Sequence, residues 1–503
     1  VKGLSNNKST VVIGAGLAGM SAAIRLRTAG FQVALLEKNS HFGGKVNSYK
    51  TSGFNFELGP SLLTMPRVFE ELFQEAGKNF HHYVSLQRLP LEWRTFFSDG
   101  TKIDIYSRIE SIQQKNPELG KKDINALKDY LKYSQQMFEK IRKGYIKSGL
   151  DTSREIIQHY GLFKTFRGLD VFLSMSDVVF RYISNPYLRT VLNSFSRYIG
   201  SSPYRAPAVM NLLPHVQHEF GLWQVSGGMQ NLARACYLLA RELGVKFYFR
   251  HQVTAADISN NRISAVSTDR GSHFSADYFL SNMEVIPFYQ KITGEDEEFL
   301  SQFSRYEPSC SGYALHLGVD KTYPRLAHHN LFFSGNPRNN YRSVFKNYSL
   351  PEDPTIYLTA PSQANSRRKA EGQQYLKILV HVPYLQKEPF SLEEYEKFEE
   401  RILEKLENMG LKNLRDNIIC RKILLPEDME ALYFSNRGSL YGVVADMDKN
   451  RGLKAPKKCE KYDNLFFAGS TVNPGGGLPM VVLSGRQAAD KIISQEENYY
   501  AEN

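Results

Sequence analysis

Between residues 10 and 37 the apolar positions change period twice. Thr10, Val11, Val12 and Ile13 form a short β-branched run, the pattern of a strand buried on both faces. Small and apolar residues then fill a helical stretch over 17–29, which Gly30 stops. Val33-Ala-Leu-Leu-Glu37 is a second buried strand. Strand, helix and strand in that order predict the start of a parallel sheet. Residues 48–104 read as strands and loops, with a strand and turn over 53–60. Over 121–211 the apolar spacing is mostly helical. Gly227-Gly228 opens a helix over 229–243, followed by a strand over 245–253 and a meander that turns at Asn260-Asn261. Further strands fall at 263–266 and 276–280. Ser391-Leu-Glu-Glu394 is a capping box. It opens a helix whose apolar face is Leu392, Tyr395, Phe398, Ile402, Leu406 and Met409, ended by Gly410. Near the C-terminus a short buried strand over 464–468 runs into a glycine-rich loop and then a helix over 480–493.

The turn between the first strand and helix is Gly14-Ala-Gly-Leu-Ala-Gly19, and Glu37 ends the second strand. Strand, glycine turn, helix, strand and acid together are the dinucleotide fingerprint in its required context. Gly14 lets the chain turn, Gly16 lets the backbone approach a pyrophosphate, and Gly19 lets helix and strand pack closely. The helix N-terminus offers free N–H groups to phosphate oxygens. Glu37 accepts hydrogen bonds from a ribose. Gly43-Gly44-Lys45 follows the acid, and a glycine pair with a base there can close over a flavin diphosphate. The late segment Ser470-Thr-Val-Asn-Pro-Gly-Gly-Gly-Leu-Pro-Met480 provides a second glycine-preceded helix start. These two halves together favour FAD over NAD.

The chain has 503 residues, more than single cores usually span, so two domains with interleaved boundaries are expected. Cys236, Cys310, Cys420 and Cys459 are scattered without a CxxC, which suits reduced thiols of an intracellular protein and no zinc site. No apolar run reaches membrane-spanning length, and no signal peptide is evident. The net charge is +11. No zinc finger, helix-turn-helix or RNA-binding signature accompanies it, so nucleic acid is not expected as a partner. An anionic membrane surface or simple solvation accounts for the charge.

These motifs resemble those of the phytoene-desaturase-type carotenoid oxidoreductases, FAD enzymes acting on long polyenes. The resemblance covers essentially the whole chain through Gly14–Gly19, Glu37-Lys38, Gly43-Gly44-Lys45, Leu58-Gly-Pro-Ser61, Gly227-Gly228 and the loop from Gly469 to Met480. Within that family the chain is most similar to the terminal-methyl oxidases of diaponeurosporene and diapolycopene. This finer match rests on Ser184-Asn-Pro-Tyr-Leu-Arg189, Gly221-Leu-Trp223, Ser281-Asn-Met-Glu-Val-Ile-Pro287, Ser435-Asn-Arg-Gly438, Tyr441-Gly-Val-Val-Ala-Asp446 and Asn473-Pro-Gly-Gly-Gly477. At the last position the desaturases have His-Pro-Gly-Ala-Gly.

The resemblance implies an α/β protein: a Rossmann-type FAD-binding domain, an interleaved α+β substrate domain and a helical membrane-associated insert. The implied division is 1–110 for the first part of the FAD-binding domain and 111–220 for the helical insert. Residues 221–286 form its second part, 287–425 the substrate domain, and 426–503 return to the FAD-binding domain. Cofactor contacts are expected from Val12, Ile13, Gly14, Ala15, Gly16, Leu17, Ala18 and Gly19, and from Glu37, Lys38, Gly44 and Lys45. Gly59, Pro60, Ser61 and Val253 complete the N-terminal part, with Gly469, Ser470, Leu478, Pro479 and Met480 from the late loop. No metal is expected. The implied activity is oxidation of the terminal methyl of an acyclic diapocarotenoid to aldehyde and acid, with carotenoid desaturation as the alternative. The implied partners are the polyene itself, a membrane surface and other enzymes of a carotenoid pathway; the implied location is cytoplasmic, on the inner face of the cell membrane. Asn473, where the desaturases carry His, is the candidate catalytic residue, and a turn-capping role before Pro474 is its alternative. His215, His218 and Glu219 could share a helix face, as proton handlers or simply as polar surface. Trp223 is a candidate channel wall, and Arg437 a candidate for the polar edge of the flavin.

Overall fold

The computed structural model describes residues 8–161, 170–361 and 372–502. Its first sheet is five-stranded and parallel, in the order Leu465–Phe467, Tyr278–Ser281, Ser9–Ile13, Gln32–Glu37, Lys246–Phe249. Its strands come from the N-terminus, the middle and the C-terminus, so one sheet is assembled from three separated stretches. The helix Leu17–Thr28 covers one face, packed against the C-terminal helix Leu478–Glu502. A Cβ on Gly485 of that helix would lie 2.1 Å from the Ala18 carbonyl oxygen, so glycine sets how closely the two helices approach. The helix runs beyond the expected 480–493 because its polar extension is held by tertiary contacts. Glu496 takes the Tyr278 hydroxyl at 3.3 Å and Lys8 at 3.1 Å.

The opposite face of this sheet carries a three-stranded meander, Val253–Ser259, Arg262–Thr268 and His273–Ser275. Asn260 and Asn261 both have positive φ, the backbone a two-residue hairpin turn requires. The expected strand over 245–253 is shorter, Lys246–Phe249, because Arg250 has positive φ and turns the chain.

A second, seven-stranded sheet runs in the order Ile418–Leu424, Ser311–Val319, Gln374–Val382, Ile356–Thr359, His329–Phe332, Leu91–Phe96, Lys102–Tyr106. The last two strands lie within 1–110, the stretch assigned to the nucleotide part, yet they pair here: Leu331 with Thr95 and Phe332 with Phe96. Their alternating pattern suits either sheet, and only the long-range pairing decides. Behind this sheet packs the helix Leu392–Asn408, N-capped by Ser391 as expected. Tyr395, Phe398, Ile402 and Leu406 are buried against it, whereas Leu392, in the first turn, is exposed. The strand Gln374–Val382 alternates faces. Leu376, Ile378, Val380 and Val382 point to the helix, while Lys377, Leu379 and His381 point to a cavity.

Lys121–Ile141, Ser153–Tyr160, Met175–Tyr182, Pro186–Asn193 and Leu212–Phe220 form the helical part, with its own core around Tyr130, Met137, Val178 and Leu188. Among the described residues, no helix is long and apolar enough to cross a membrane. The four cysteines are free thiols.

Candidate active site

The glycine turn has the geometry its sequence demands. Gly14 has φ near 100°, and its N–H donates to the Leu36 carbonyl at 2.7 Å. A Cβ on Gly19 would come within 2.1 Å of the Gly14 carbonyl oxygen, so this glycine permits the tight turn. Gly16 precedes the helix in extended conformation and offers no side-chain cap of its own; the Gly19 N–H is taken by Asn282, which leaves the Leu17 and Ala18 N–H groups for an anion. The second glycine loop folds onto the first: Gly16 bridges to Gly43, and the Gly43 N–H donates to the Ala15 carbonyl at 2.8 Å. Glu37 accepts from the Ala15 N–H at 2.8 Å and from the Asn39 backbone and side chain at 2.8 and 3.0 Å. Its lone pairs are not exhausted by these three bonds.

Asn282, at the end of Tyr278–Ser281, ties the turn to the C-terminal strand. Its backbone N–H donates to Ile13 at 2.8 Å and its side-chain NH₂ to Ala468 at 3.1 Å, while its Oδ1 accepts from the Gly19 N–H at 3.1 Å. A Cβ on Gly16 would meet that oxygen at 2.5 Å. The need for glycine at 16 is therefore imposed by the protein itself. In the sequence Asn282 stood out only as part of the segment Ser281–Pro287, with no role of its own.

A single cavity of 1510 Å³ begins at this turn and extends between the second sheet and the helical part. Of the expected cofactor residues, Ile13, Gly14, Gly16, Leu17, Ala18, Glu37, Lys38, Gly44, Lys45, Gly59, Pro60, Ser61, Val253, Gly469, Ser470, Leu478, Pro479 and Met480 line it. Val12, Ala15 and Gly19 stand behind the wall. The lining suits a dinucleotide with a planar ring. An uncapped helix start faces the cavity with an acid beside it, and Gly477 borders open space where a Cβ would meet nothing within 4 Å. Lys45 lines the cavity with its ammonium engaged by Glu284 at 3.5 Å and by the Ser439 and Leu440 carbonyls.

Beyond the glycine loops the walls become aliphatic and aromatic: Trp93, Leu331, Tyr357 and Leu379 on the sheet side, Ile146, Leu150, Leu213 and Val216 on the helical side. A few polar groups interrupt them. Trp93 Nε1 and the Tyr198 hydroxyl both donate to Gln217 Oε1, at 2.9 and 2.6 Å, and Gln217 Nε2 donates to Glu92 at 2.7 Å. Lys377 donates to the Gly59 carbonyl; burial pulls its ammonium down to about 8, against the opposing charge of Glu57. Burial likewise lowers Lys454 to about 8, against Glu284 and Asp446. His381 meets the Tyr441 hydroxyl at 3.2 Å. Burial and the nearby Arg197 charge hold its imidazole neutral, far below the ordinary value.

Asn473 is buried and does not line the cavity. Its Oδ1 accepts from the Tyr145 hydroxyl at 2.5 Å and the Lys454 N–H at 3.0 Å; its Nδ2 donates to the Asp151 and Lys454 carbonyls at 3.1 and 3.2 Å. All four bonds an amide can make are used, so its side chain has no free group for a substrate, contrary to the expectation of a catalytic residue. Below it, Lys457 and Asp151 form a buried ion pair at 2.5 Å.

Three further expectations are corrected. Trp223 donates to the Phe220 carbonyl at 2.7 Å and lies away from the cavity; the other tryptophan, Trp93, lines it. The helix Leu212–Phe220 presents Leu212, Leu213, Val216 and Gln217 to the cavity, so His215, His218 and Glu219 lie on its other sides. Burial lowers both histidines, and among the described residues no cluster could hold a metal. Arg437 donates to the Leu385 carbonyl and sits over the Tyr384 ring, outside the cavity lining.

Comparison with known proteins fits this arrangement. Residues 17–493 match the family of flavin containing amine oxidoreductases. The chain is 48% identical over 492 residues to a 4,4'-diaponeurosporene oxygenase of Staphylococcus haemolyticus, covering 98% of each chain. It is 47% identical to one of Staphylococcus aureus strain USA300, covering 97% of this chain and 99% of that one. A putrescine oxidase triple mutant shares the fold at 15% identity with a TM-score of 0.66, over 97% of this chain and 99% of that one.

Proposed function

We propose that this chain, which belongs to the family of flavin containing amine oxidoreductases, is an FAD-dependent oxidase of the terminal methyl of an acyclic diapocarotenoid. One observation carries the reading: a single cavity joins the dinucleotide turn to a long stretch of apolar wall. Near-half identity over the full length to diaponeurosporene oxygenases supports methyl oxidation over desaturation. The family is named for amines, but the walls beyond the glycine loops are aliphatic and aromatic.

Bound FAD supplies a two-electron acceptor. What the chain contributes is placement. A hydrocarbon offers nothing to hydrogen-bond, so the walls hold it by burial, at about 25 cal/mol per Å² removed from water. Trp93, locked by Gln217, and Leu379 and Tyr357, locked by the sheet register, fix the direction of the chain toward the loop from Gly469 to Met480. Asn473 is a positioning residue in this reading: it orients Tyr145, whose ring does line the cavity. In this reading Ile13, Gly14, Gly16, Leu17, Ala18, Glu37, Lys38, Gly44, Lys45, Gly59, Pro60, Ser61 and Val253 hold FAD from one side, and Gly469, Ser470, Leu478, Pro479 and Met480 from the other, with Val12, Ala15 and Gly19 shaping the turn from behind.

The substrate arrives from a lipid phase, and we infer peripheral attachment to the cytoplasmic face of the membrane through the helical insert. Val171 and Phe172 line the cavity and reach the surface, Phe172 being 93% exposed, with Phe180 half-exposed nearby in sequence. A chain of net charge +11 suits the anionic inner leaflet. Expressing the chain beside an acyclic diapocarotenoid pathway tests the reading. Oxygenated pigments support it, and pigments with only added double bonds favour the desaturase.

A further inference from the structure

Arg197 lies in the short helix Ser194–Tyr198 and lines the cavity, yet only 9% of its surface is exposed. Among the described residues it forms no ion pair and no side-chain hydrogen bond, and its Nη2 is sealed from solvent without a partner. A guanidinium stays charged in any protein environment, so it cannot relieve its burial by losing a proton. Leaving such a charge uncompensated is strongly destabilising. Four buried groups among the described residues feel this charge, and all four are neutral. Burial pushes the Cys310 thiol and the Tyr341 phenol up to about 12 and Tyr441 higher still, and His381 is held as a neutral imidazole. Among the described residues, the protein thus sets neutral hydrogen-bonding groups around a fixed positive charge and pairs it with no anion.

The position is as specific as the charge. His381 and Tyr441 hydrogen-bond to each other and both line the cavity with Arg197. Tyr441 packs directly on the late glycine loop: a Cβ on Gly476 would lie 3.0 Å from its carbonyl oxygen, and one on the adjacent Gly442 would lie 2.7 Å from that of Ser470. The cluster therefore stands where the apolar channel meets the loop assigned to the flavin. A hydrocarbon terminus gives Arg197 nothing to bind, whereas a carboxylate matches its planar fork with two parallel hydrogen bonds.

We propose that Arg197, flanked by His381 and Tyr441, is a carboxylate-binding site inside the polyene channel, which holds a conjugated chain ending in a carboxylic acid. The assignment rests on the reading of the cavity as a polyene channel and deepens it. The site takes the oxidised end of a product, or a polyenoic acid presented as a ligand in its own right. Arg197 acts here as a specificity determinant, and the neutral His381–Tyr441 pair, which keeps one donor beyond its mutual bond, supplies one further hydrogen bond to the carboxylate.

The test titrates the flavin-loaded protein with parinaric acid, a fluorescent conjugated tetraene fatty acid, and with its methyl ester. The expected result is that wild type binds the acid tighter than the ester by roughly tenfold or more, the range of a charge-assisted pair. Arg197→Met should bring the acid down to the level of the ester and leave the ester unchanged, and Arg197→Lys should keep most of the preference. Equal binding of acid and ester to wild type would overturn the proposal. So would an Arg197→Met variant that weakens both ligands by the same factor, since the arginine would then be structural. If Arg197→Met does not fold, Arg197→Lys and the acid–ester comparison in wild type decide. Failure of wild type to oxidise a polyene hydrocarbon would count against the proposed activity and leave this binding result standing.

Discussion

Gly16 and Asn282 are 266 positions apart in sequence and in contact in the fold. The backbone of Gly16, at φ −72°, is open to any residue, so the demand for glycine comes from space alone. Gly16→Val should drive a side chain into Asn282, displace the oxygen that receives the Gly19 N–H, and deform the turn. Purified Gly16→Val protein is expected to lose its flavin absorbance per chain, and full occupancy would contradict the assignment of the turn. The turn itself was legible in sequence because its parts are neighbours along the chain: glycines, helix start and acid fall within residues 14–37. Asn282 and Lys377 were not, because each acquires its role from a partner hundreds of residues away or from a sheet register; Arg197 was not, because only the fold buries it against the cavity. Trp93 and Trp223 show the same limit. Residue type cannot say which tryptophan faces a cavity, but the hydrogen bond of Trp93 to Gln217 does.

At the scale of elements, the strand Leu91–Phe96 and the helix Leu212–Phe220 are joined by Gln217, which receives Trp93 and donates to Glu92. Burial raises the Glu92 carboxyl from 4.5 to about 7, with Gln217 and Arg88 opposing. Between those values the folded chain holds more protons than the unfolded one, so stability falls as pH rises through this window and levels off above it. Glu92→Gln should remove that slope. The expected gain is on the order of 3 kcal/mol at about pH 8 and near zero at about pH 4, read from denaturant unfolding at both pH values. An unchanged slope would place the titrating group elsewhere. Periodicity anticipated the helix from Ser391 to Gly410 and the hairpin at Asn260-Asn261 because capping and turn chemistry are local. It read Leu91–Phe96 and Lys102–Tyr106 only as strands, and the implied boundary at 110 left them in the nucleotide part, since a strand pattern does not name its partner.

Across the whole molecule, a cavity between two sheets and a helical part extends from the glycine turn to the exposed side chains of Val171 and Phe172. Replacing Phe172 and Phe180 by Ser should reduce partitioning onto anionic vesicles, and wild-type binding should weaken with salt, since attachment combines insertion with charge. Vesicle sedimentation reads both effects; binding that ignores both changes would remove the membrane from the account. The two-part nucleotide site was legible because its motifs stand at opposite ends of the chain and each needs the other. The path of the channel was not, because it is made by side chains from both sheets and the helices together. The central claim is that this channel delivers a terminal methyl to be oxidised. Flavin-loaded protein given an acyclic diapocarotenoid deuterated in its terminal methyl groups tests it most directly, by mass analysis of the products. The account predicts deuterium lost from a terminal carbon that gains oxygen. Retention of all methyl deuterium, with new double bonds in the chain interior, would contradict it.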